Sequence, residues 1–473
     1  MKKDCLNNPV QELTRDELIE LVLSLQSENK KLREALETLQ RIGKRQVSPF
    51  SKGQPKKQPK KPGRKSGEEH GEHHRREEPK LIDREIHVPI ETGLMDPDGH
   101  PLCPDCYEPL NDYALYAQYQ TDIPPPPQPI VTKFNIEVAR CPYCERRFQG
   151  RHEEQTSPAL HAAKNQLGPR LLGLAAELKY GFGLSYEKVQ KYFSRHHDLN
   201  VSRSTICRAS QRLAQKALPS YEQLILSIRR SRVVCADETG WRINGNSAWL
   251  WVFSAQSVTV YLIDPHRGHA VAERVLGKYF KGKLSTDGFL AYDALAIAPQ
   301  DRQQCQAHLL KRSRELQALK TRQAVVFSRQ VAAILKAGIK LHQRHTELTE
   351  QGFKIQRGKI EAAMDRVLDK QLSDPDNARF ARHLRKHRES LFTYLYDEQH
   401  ELAPTNNEAE REIRPGVITR KLGACNRSHK GAATTSVLTS LIRSCTKRTV
   451  DFVHVAVDLL RSPQHGLHPA LKR

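Results

Sequence analysis

Three glutamates, two asparagines and two arginines crowd into residues 404–415, PTNNEAEREIRP, and two further carboxylates stand far upstream, Asp237 in ADETGW and Asp287 in STDGFLAY. Carboxylates held side by side repel one another unless cations neutralise them, and an all-oxygen ligand set suits a hard divalent ion such as Mg2+. Metal-bound carboxylates of this kind serve in-line displacements, in which the metals stabilise the attacking and leaving oxygens. Within the 404–415 stretch the glutamates separate. Thr405 and Glu408 have the spacing of a capping box, which gives Glu408 a structural task at a helix start. Glu410 has none, and shares a helix face with Asn406 and Arg414, with Asn407 alongside. Glu412 is expected to be solvated. Taken alone, any EAERE run reads more simply as a salt-bridged surface helix.

Two CxxC pairs, Cys103/Cys106 in CPDC and Cys141/Cys144 in CPYC, can each turn two thiolates toward one tetrahedral zinc, with unrelated free thiols as the alternative. Four protein ligands leave no open position, so such a zinc is structural. Cys305 and His308 in CQAHLLK are read as packing and hydrogen-bonding groups, with metal binding as the alternative. Trp249 and Trp251 share one strand face and are expected in the core, and packing is also the expected role of Trp241.

The elements that must position Asp237 and Asp287 begin at 232. An apolar run ends at Asp237, a turn follows at NGN, and alternating runs 247–255 and 258–263 complete a three-strand meander. A helix near 268–280, a short strand KLST ending before Asp287, helix FLAYDAL and a strand entering a helix at QQCQAHLLK follow. That order is the order of a ribonuclease-H-like fold, in which the ends of the first and fourth strands lie side by side. Residues 310–400 read as long basic helices inserted before Glu410. Ahead of the core, LNVSRSTICRASQRL reads as a turn into a second helix capped by Ser202 or Ser204, with Arg203, Arg208 and Arg212 outward. Helix-turn-helix DNA binding and a plain helical hairpin fit it equally.

Near the amino terminus Leu18, Leu25, Leu32 and Leu39 recur every seven residues, with Val22, Asn29 and Leu36 four after the first three, a heptad seam whose polar Asn29 would set register in a parallel dimer. Residues 44–65 hold nine basic residues and no acid. Such a segment cannot build a core, and Lys60, Lys61, Arg64 and Lys65 suit phosphate contact. The whole chain of 473 residues has 76 Lys and Arg against 54 Asp and Glu, a formal +22 that favours a polyanionic partner. Arg411, Arg414, Arg420 and Lys421 add a basic cluster beside Glu410. No apolar run of membrane-spanning length is present. Cysteines in CxxC pairs rather than a disulfide framework fit a reducing, cytosolic compartment.

The motifs ADETGW, STDGFLAY and PTNNEAEREIRP…TRKLG, preceded by paired CxxC knuckles, the KKPGRK linker and the zipper, closely resemble transposases of the insertion-sequence sixty-six (IS-66) family over nearly the whole chain. The resemblance implies a DDE catalytic triad, which falls on Asp237, Asp287 and Glu410. It implies Mg2+ or Mn2+ at that triad, and cleavage at element ends followed by strand transfer of the 3′ hydroxyl into target DNA. It further implies double-stranded DNA as partner through terminal inverted repeats, a homodimer or higher multimer, element-encoded accessory proteins, and a bacterial cytoplasm with nucleoid association on DNA.

The expected organisation is multidomain: 11–40 zipper coiled coil, 41–80 basic disordered linker, 81–150 zinc module, 155–225 helical helix-turn-helix-like DNA-binding region, 230–309 first part of an α/β ribonuclease-H-like catalytic core, 310–400 helical insertion, 401–445 second part of that core with Glu410, and 446–473 carboxyl-terminal helix and tail. Two other functions compete with this reading: a zinc-containing DNA-binding repressor that no longer cuts, and a structure-specific nuclease that does not join.

Overall fold

In the computed structural model a short antiparallel pair, β1 (Val138–Arg140) and β2 (Arg147–Gln149), flanks the second CxxC pair, and the stretch 233–264, rich in β-branched and aromatic residues, forms an antiparallel meander, β3 (Val233–Ile243), β4 (Asn246–Ser254) and β5 (Thr259–Asp264). The described residues are 14, 19–29, 32, 78–111, 114–157, 159–160, 166–423 and 425–462. Ile243 pairs with Asn246 across a two-residue turn in which Asn244 (φ 50°) and Gly245 (φ 78°) both take left-handed backbone, the turn that matches strand twist. Strand β6 (Lys283–Thr286) lies parallel beside β3, the short helix α7 (Leu290–Asp293) follows it, and β7 (Arg302–Gln304) lies parallel beside β6. The five-strand order β5-β4-β3-β6-β7 is compatible with a ribonuclease-H-like core.

Pleat alternation assigns the faces. Val234, Ala236, Trp251 and Phe253 join one core, packed with residues of α5 (Leu218–Arg230), α6 (His269–Leu276), α13 (His429–Lys447) and α14 (Phe452–Arg461). Cys235, Trp241, Leu250 and Val252 join a second, closed by Ala409 and Ile413 of α12 (Asn407–Gly423). Trp249 and Trp251 thus share the first face, with Trp251 fully buried and Trp249 packed at its margin. Trp241 is buried and donates its Nε1–H to Asn426 Oδ1 at 2.8 Å.

Both sheet edges are covered. Ser436, Ser440 and Ser444, one per turn of α13, accept hydrogen bonds from the backbone N–H of Ile263, Tyr261 and Thr259 at 3.0, 2.8 and 3.1 Å. These side chains occupy donors of β5 that would otherwise template another strand. At β7, Thr393 Oγ1 donates to Arg302 O at 2.6 Å, and Gln303 Oε1 accepts from Tyr394 N–H at 3.1 Å.

Residues 306–395 supply helices α8 (Gln306–Leu319), α9 (Val326–Gln343), α10 (Glu350–Leu368) and α11 (Pro375–Lys386), with a core of their own around Val331, Leu335, Met364, Phe380 and Leu384. Ahead of the sheet, α2 (Pro169–Ala176), α3 (Tyr186–His197) and α4 (Arg203–Lys216) pack around Ala175, Val189, Phe193, Val201 and Ile206. Ser202, not Ser204, caps α4, accepting from Thr205 N–H at 3.1 Å.

The chain divides into two compact units, 50–127 and the remainder. Along the zipper, Val22, Leu25 and Asn29 lie on helix α1 (19–29), and they and Leu32 are exposed. Leu18, Leu36 and Leu39 lie outside the described residues, as do Lys60, Lys61, Arg64 and Lys65. Among the described residues no helix is long and apolar enough to cross a membrane.

Candidate active site

Strand register brings the first two carboxylates together. Cys235 of β3 pairs with Ser285 of β6, and Ser285 with Gln303 of β7. Two residues further along each strand come Asp237, Asp287 and Cys305, with Cys305 N–H donating to Thr286 O at 2.8 Å. The expectation that Asp237 ends its strand needs correction. Strand β3 runs on to Ile243 because its pairing with β4 continues, whereas its parallel pairing with β6 stops at Cys235. Asp237 therefore stands two residues past the last pairing of β3 with β6, where that flank of β3 is no longer covered by β6.

That opening is where the third element arrives. Asn406, fully buried just before α12, donates from Nδ2 to Ala236 O at 2.8 Å, and its N–H donates to Cys305 Sγ at 3.2 Å. Its carbonyl accepts the Glu410 N–H at 3.1 Å, so Glu410 rises one turn above an anchor bound to β3 beside Asp237. Burial, the neighbouring Asp287 carboxylate, Glu238 and Glu410 push the Asp237 pKa up to about 7. Asp237 and Asp287, with Glu410 acting on the first of them, are an oxygen donor set of the kind that suits hard divalent cations, and among the described residues these three carboxylates do not all lie within 4.8 Å of one another. Asn406→Ala removes the donor to a buried carbonyl. It is expected to cost about 1–3 kcal/mol in urea unfolding and to lower any Glu410-dependent rate even where the variant is fully folded.

The pleat separates neighbours that sequence alone leaves equivalent. Glu238 points to the opposite face, where Arg267 donates to its Oε1 from Nε and Nη2 at 3.1 and 2.8 Å and Tyr292 Oη donates to Oε2 at 2.9 Å. Asp287 Oδ1 accepts the Phe289 N–H at 2.9 Å across Gly288, whose φ of 89° favours glycine.

Two of the three α12 glutamates differ from expectation. Glu408 does not serve as a cap: it is bound by Lys447 Nζ at 2.7 Å and by Ser254 Oγ at 3.1 Å, tying α12 to α13 and β4. Glu412 is not solvated: it is 3 % exposed and takes Arg443 Nε and Nη2 at 2.9 and 2.8 Å. Long-range partners override the local pattern in both cases. The spacing of four between Asn406 and Glu410 was the available signal for the anchor; Arg443 left none.

Beside Glu410 lies a further donor set. Cys305 Sγ, a ring nitrogen of His308 and a Glu410 carboxylate oxygen all lie within 4.8 Å of one another, a possible metal-binding triad. His308 Nδ1 is 3.8 Å from Glu410 Oε1. Hydrogen bonding to Cys305 first, and the charges of Glu410 and Asp287 beyond it, raise the His308 pKa to about 9.

Each CxxC pair forms the same local turn. Tyr107 N–H donates to Cys103 O and Glu145 N–H to Cys141 O, both at 2.9 Å, and Tyr107 and Glu145 both have positive φ (63° and 55°). Backbone N–H groups of Cys106 and Asp105 lower the Cys103 pKa, and those of Cys144 and Tyr143 lower that of Cys141. Of the basic residues singled out, Arg203 and Arg208 are exposed on α4, and Arg411, Arg414 and Lys421 on α12. Arg411 also pairs with Glu408 at 3.3 Å, and half-buried Arg420 donates to Gly240 O and Thr239 Oγ1.

Comparison with known proteins gives two findings. A family model described as "Transposase IS66 family" matches residues 164–434, a span that includes Asp237, Asp287 and Glu410. A protein of Sinorhizobium fredii (strain NBRC 101917 / NGR234), named "Uncharacterized protein y4qI", is 25% identical over 361 residues, 70% of this chain and 65% of that protein. The chain thus spans just under two thirds of that relative's length.

Proposed function

The chain belongs to the transposase IS66 family, and from that membership we propose that it cuts DNA at the ends of an insertion sequence and joins the freed 3′ ends to target DNA, with Asp237, Asp287 and Glu410 as its catalytic carboxylates. The observation that carries this reading is convergence. Two aspartates lie at matched positions on adjacent parallel strands, and a glutamate rises one turn above an asparagine bound to the first of those strands.

Magnesium or manganese bound there supplies charge stabilisation to the attacking and leaving oxygens at phosphorus. The chain's own residues do the rest. Asp237 and Asp287 are fixed by strand register, Glu410 by the Asn406 anchor, and the Asp287 carboxylate by the Phe289 N–H. In cleavage, a water oxygen attacks the scissile phosphorus and the 3′ oxygen leaves. In joining, that 3′ hydroxyl attacks a target phosphorus and the target's 3′ oxygen leaves. Neither step needs a covalent enzyme intermediate. The paired knuckles are proposed to bind structural zinc through Cys103, Cys106, Cys141 and Cys144, and the heptad seam through Val22, Leu25 and Asn29 to support a multimer.

The test is incubation of the full chain with inverted-repeat DNA from the flanks of its gene, in Mg2+ or in chelator. Mg2+-dependent nicking followed by joined products supports the proposal. Cleavage without joining favours a nuclease, and tight Mg2+-independent binding without cleavage favours a repressor. The arginines of α4 give a second expected result. Replacing Arg203 and Arg208 together by Ala is expected to reduce the slope of log affinity against log salt by about two, read by fluorescence anisotropy across NaCl concentrations. An unchanged slope would count against α4 as a DNA-contacting face.

A further inference from the structure

Packing and hydrogen bonding, the roles expected of Cys305 and His308, leave the approach of the His308 ring to Glu410 without a use. Cys305 is buried at the mouth of α8, and its Sγ accepts the Asn406 N–H at 3.2 Å. His308 is exposed, three residues on, with its ring turned toward the Glu410 carboxylate. An imidazole packed for structure alone would not need to face a carboxylate that has its own use. The three donors form a thiol, an imidazole and a carboxylate within 4.8 Å of one another. Four-coordinate zinc bound through such atoms holds them about 3.5 Å apart, so rotamer adjustments of the two exposed side chains suffice to close the set.

We propose that Cys305, His308 and Glu410 form a second cation site, selective for a thiophilic divalent ion such as Zn2+, which competes with the carboxylate site for Glu410. Thiolate and imidazole prefer zinc to magnesium, whereas Asp237 and Asp287 offer only oxygen. On binding, the Cys305 thiol proton and any second proton on the His308 ring are released to solvent, leaving a thiolate and a neutral imidazole as ligands. The Asn406 N–H, already on Cys305 Sγ, orients the resulting thiolate in the manner of outer-shell groups at metal sites. Three protein ligands leave a fourth position for water. Glu410 cannot serve both sites in one orientation, so zinc holds the chain in an inactive form that magnesium alone does not displace. The inhibitory consequence rests on the catalytic reading of Glu410; the binding does not.

Two measurements separate those claims. Full-length protein with its CxxC knuckles loaded with zinc is titrated with Co2+, and the thiolate-to-cobalt charge-transfer band is compared among wild type, Cys305→Ser and His308→Gln. A band present in wild type and lost in both variants supports the site, and His308→Gln, at an exposed position, decides the matter even if Cys305→Ser fails to fold. Equal bands in all three overturn it. Separately, Mg2+-driven cleavage is measured with and without added Zn2+ in each protein. Inhibition of about tenfold or more in wild type, with a ratio near one in His308→Gln, supports competition for Glu410, and equal inhibition in both overturns it. If wild type does not cleave in Mg2+ at all, the catalytic reading fails while the cobalt result still decides the site.

Discussion

Asp237→Asn and Glu410→Gln are each expected to reduce Mg2+-dependent cleavage and joining by about 1,000-fold or more, because metal-borne stabilisation of the transition state amounts to several kcal/mol and each 1.36 kcal/mol is a factor of ten. Both replacements keep side-chain shape and remove only the ligand charge. A product-forming assay on labelled element-end DNA reads the loss, and activity within a few-fold of wild type would remove the residue from the triad.

Stability should move the other way for Asp237. Its folded pKa, about 7, lies above the ordinary carboxylate value of 3.8 because of burial and then Asp287. Between those values the native state binds more protons than the unfolded chain, so stability falls as pH rises through that window, and above pH 7 the full penalty of the charged form is present. Asp237→Asn removes that charge. In chelator at pH 8 the variant is expected to unfold at equal or higher urea than wild type, a combination of lost activity and retained stability that a merely misfolded variant would not give.

Glu412→Ala is expected to be the opposite kind of change, costing about 3–5 kcal/mol in stability because it strands the Arg443 guanidinium beside buried Tyr261. Arg443 makes its two charge-assisted hydrogen bonds to Glu412, and Tyr261 Oη donates to Glu412 Oε2 at 3.2 Å. Urea unfolding followed by circular dichroism measures the loss. A Glu412→Leu, Arg443→Met double variant should recover most of it, since replacing both charges by apolar groups removes the uncompensated ion. A cost for Glu412→Ala below about 0.5 kcal/mol would match an ordinary surface glutamate and refute the buried pair.

Much of the scaffold is legible before folding. The Asn244-Gly245 turn, the alternation in 247–255 and the break at 256–257 lie in local sequence, and the three strands that result follow them closely. The Ser202 cap and the helices after it were also local, because capping and helical periodicity act over a few residues. What local pattern misjudged was the reach of β3 beyond Asp237, because strand length there depends on β4, and the roles of Glu408 and Glu412, whose partners Lys447 and Arg443 are 39 and 31 residues away.

Residue types and spacing in this chain were enough to single out the groups proposed to bind cations and phosphate: carboxylates in three short motifs, thiols in CxxC pairs, and a basic excess. They also carried the strand and helix order of the core. Where Glu410 stands relative to Asp237 and Asp287 depends on the fold, on the register of β3 against β6 and on Asn406 binding the Ala236 carbonyl just past the last residue that β6 pairs. The same is true of Cys305, which shares the level of the two aspartates only because β7 continues that register. Side-chain period and capping are local properties. Register between strands 50 residues apart is set by the packing of both faces of the sheet at once, and no window of sequence contains it.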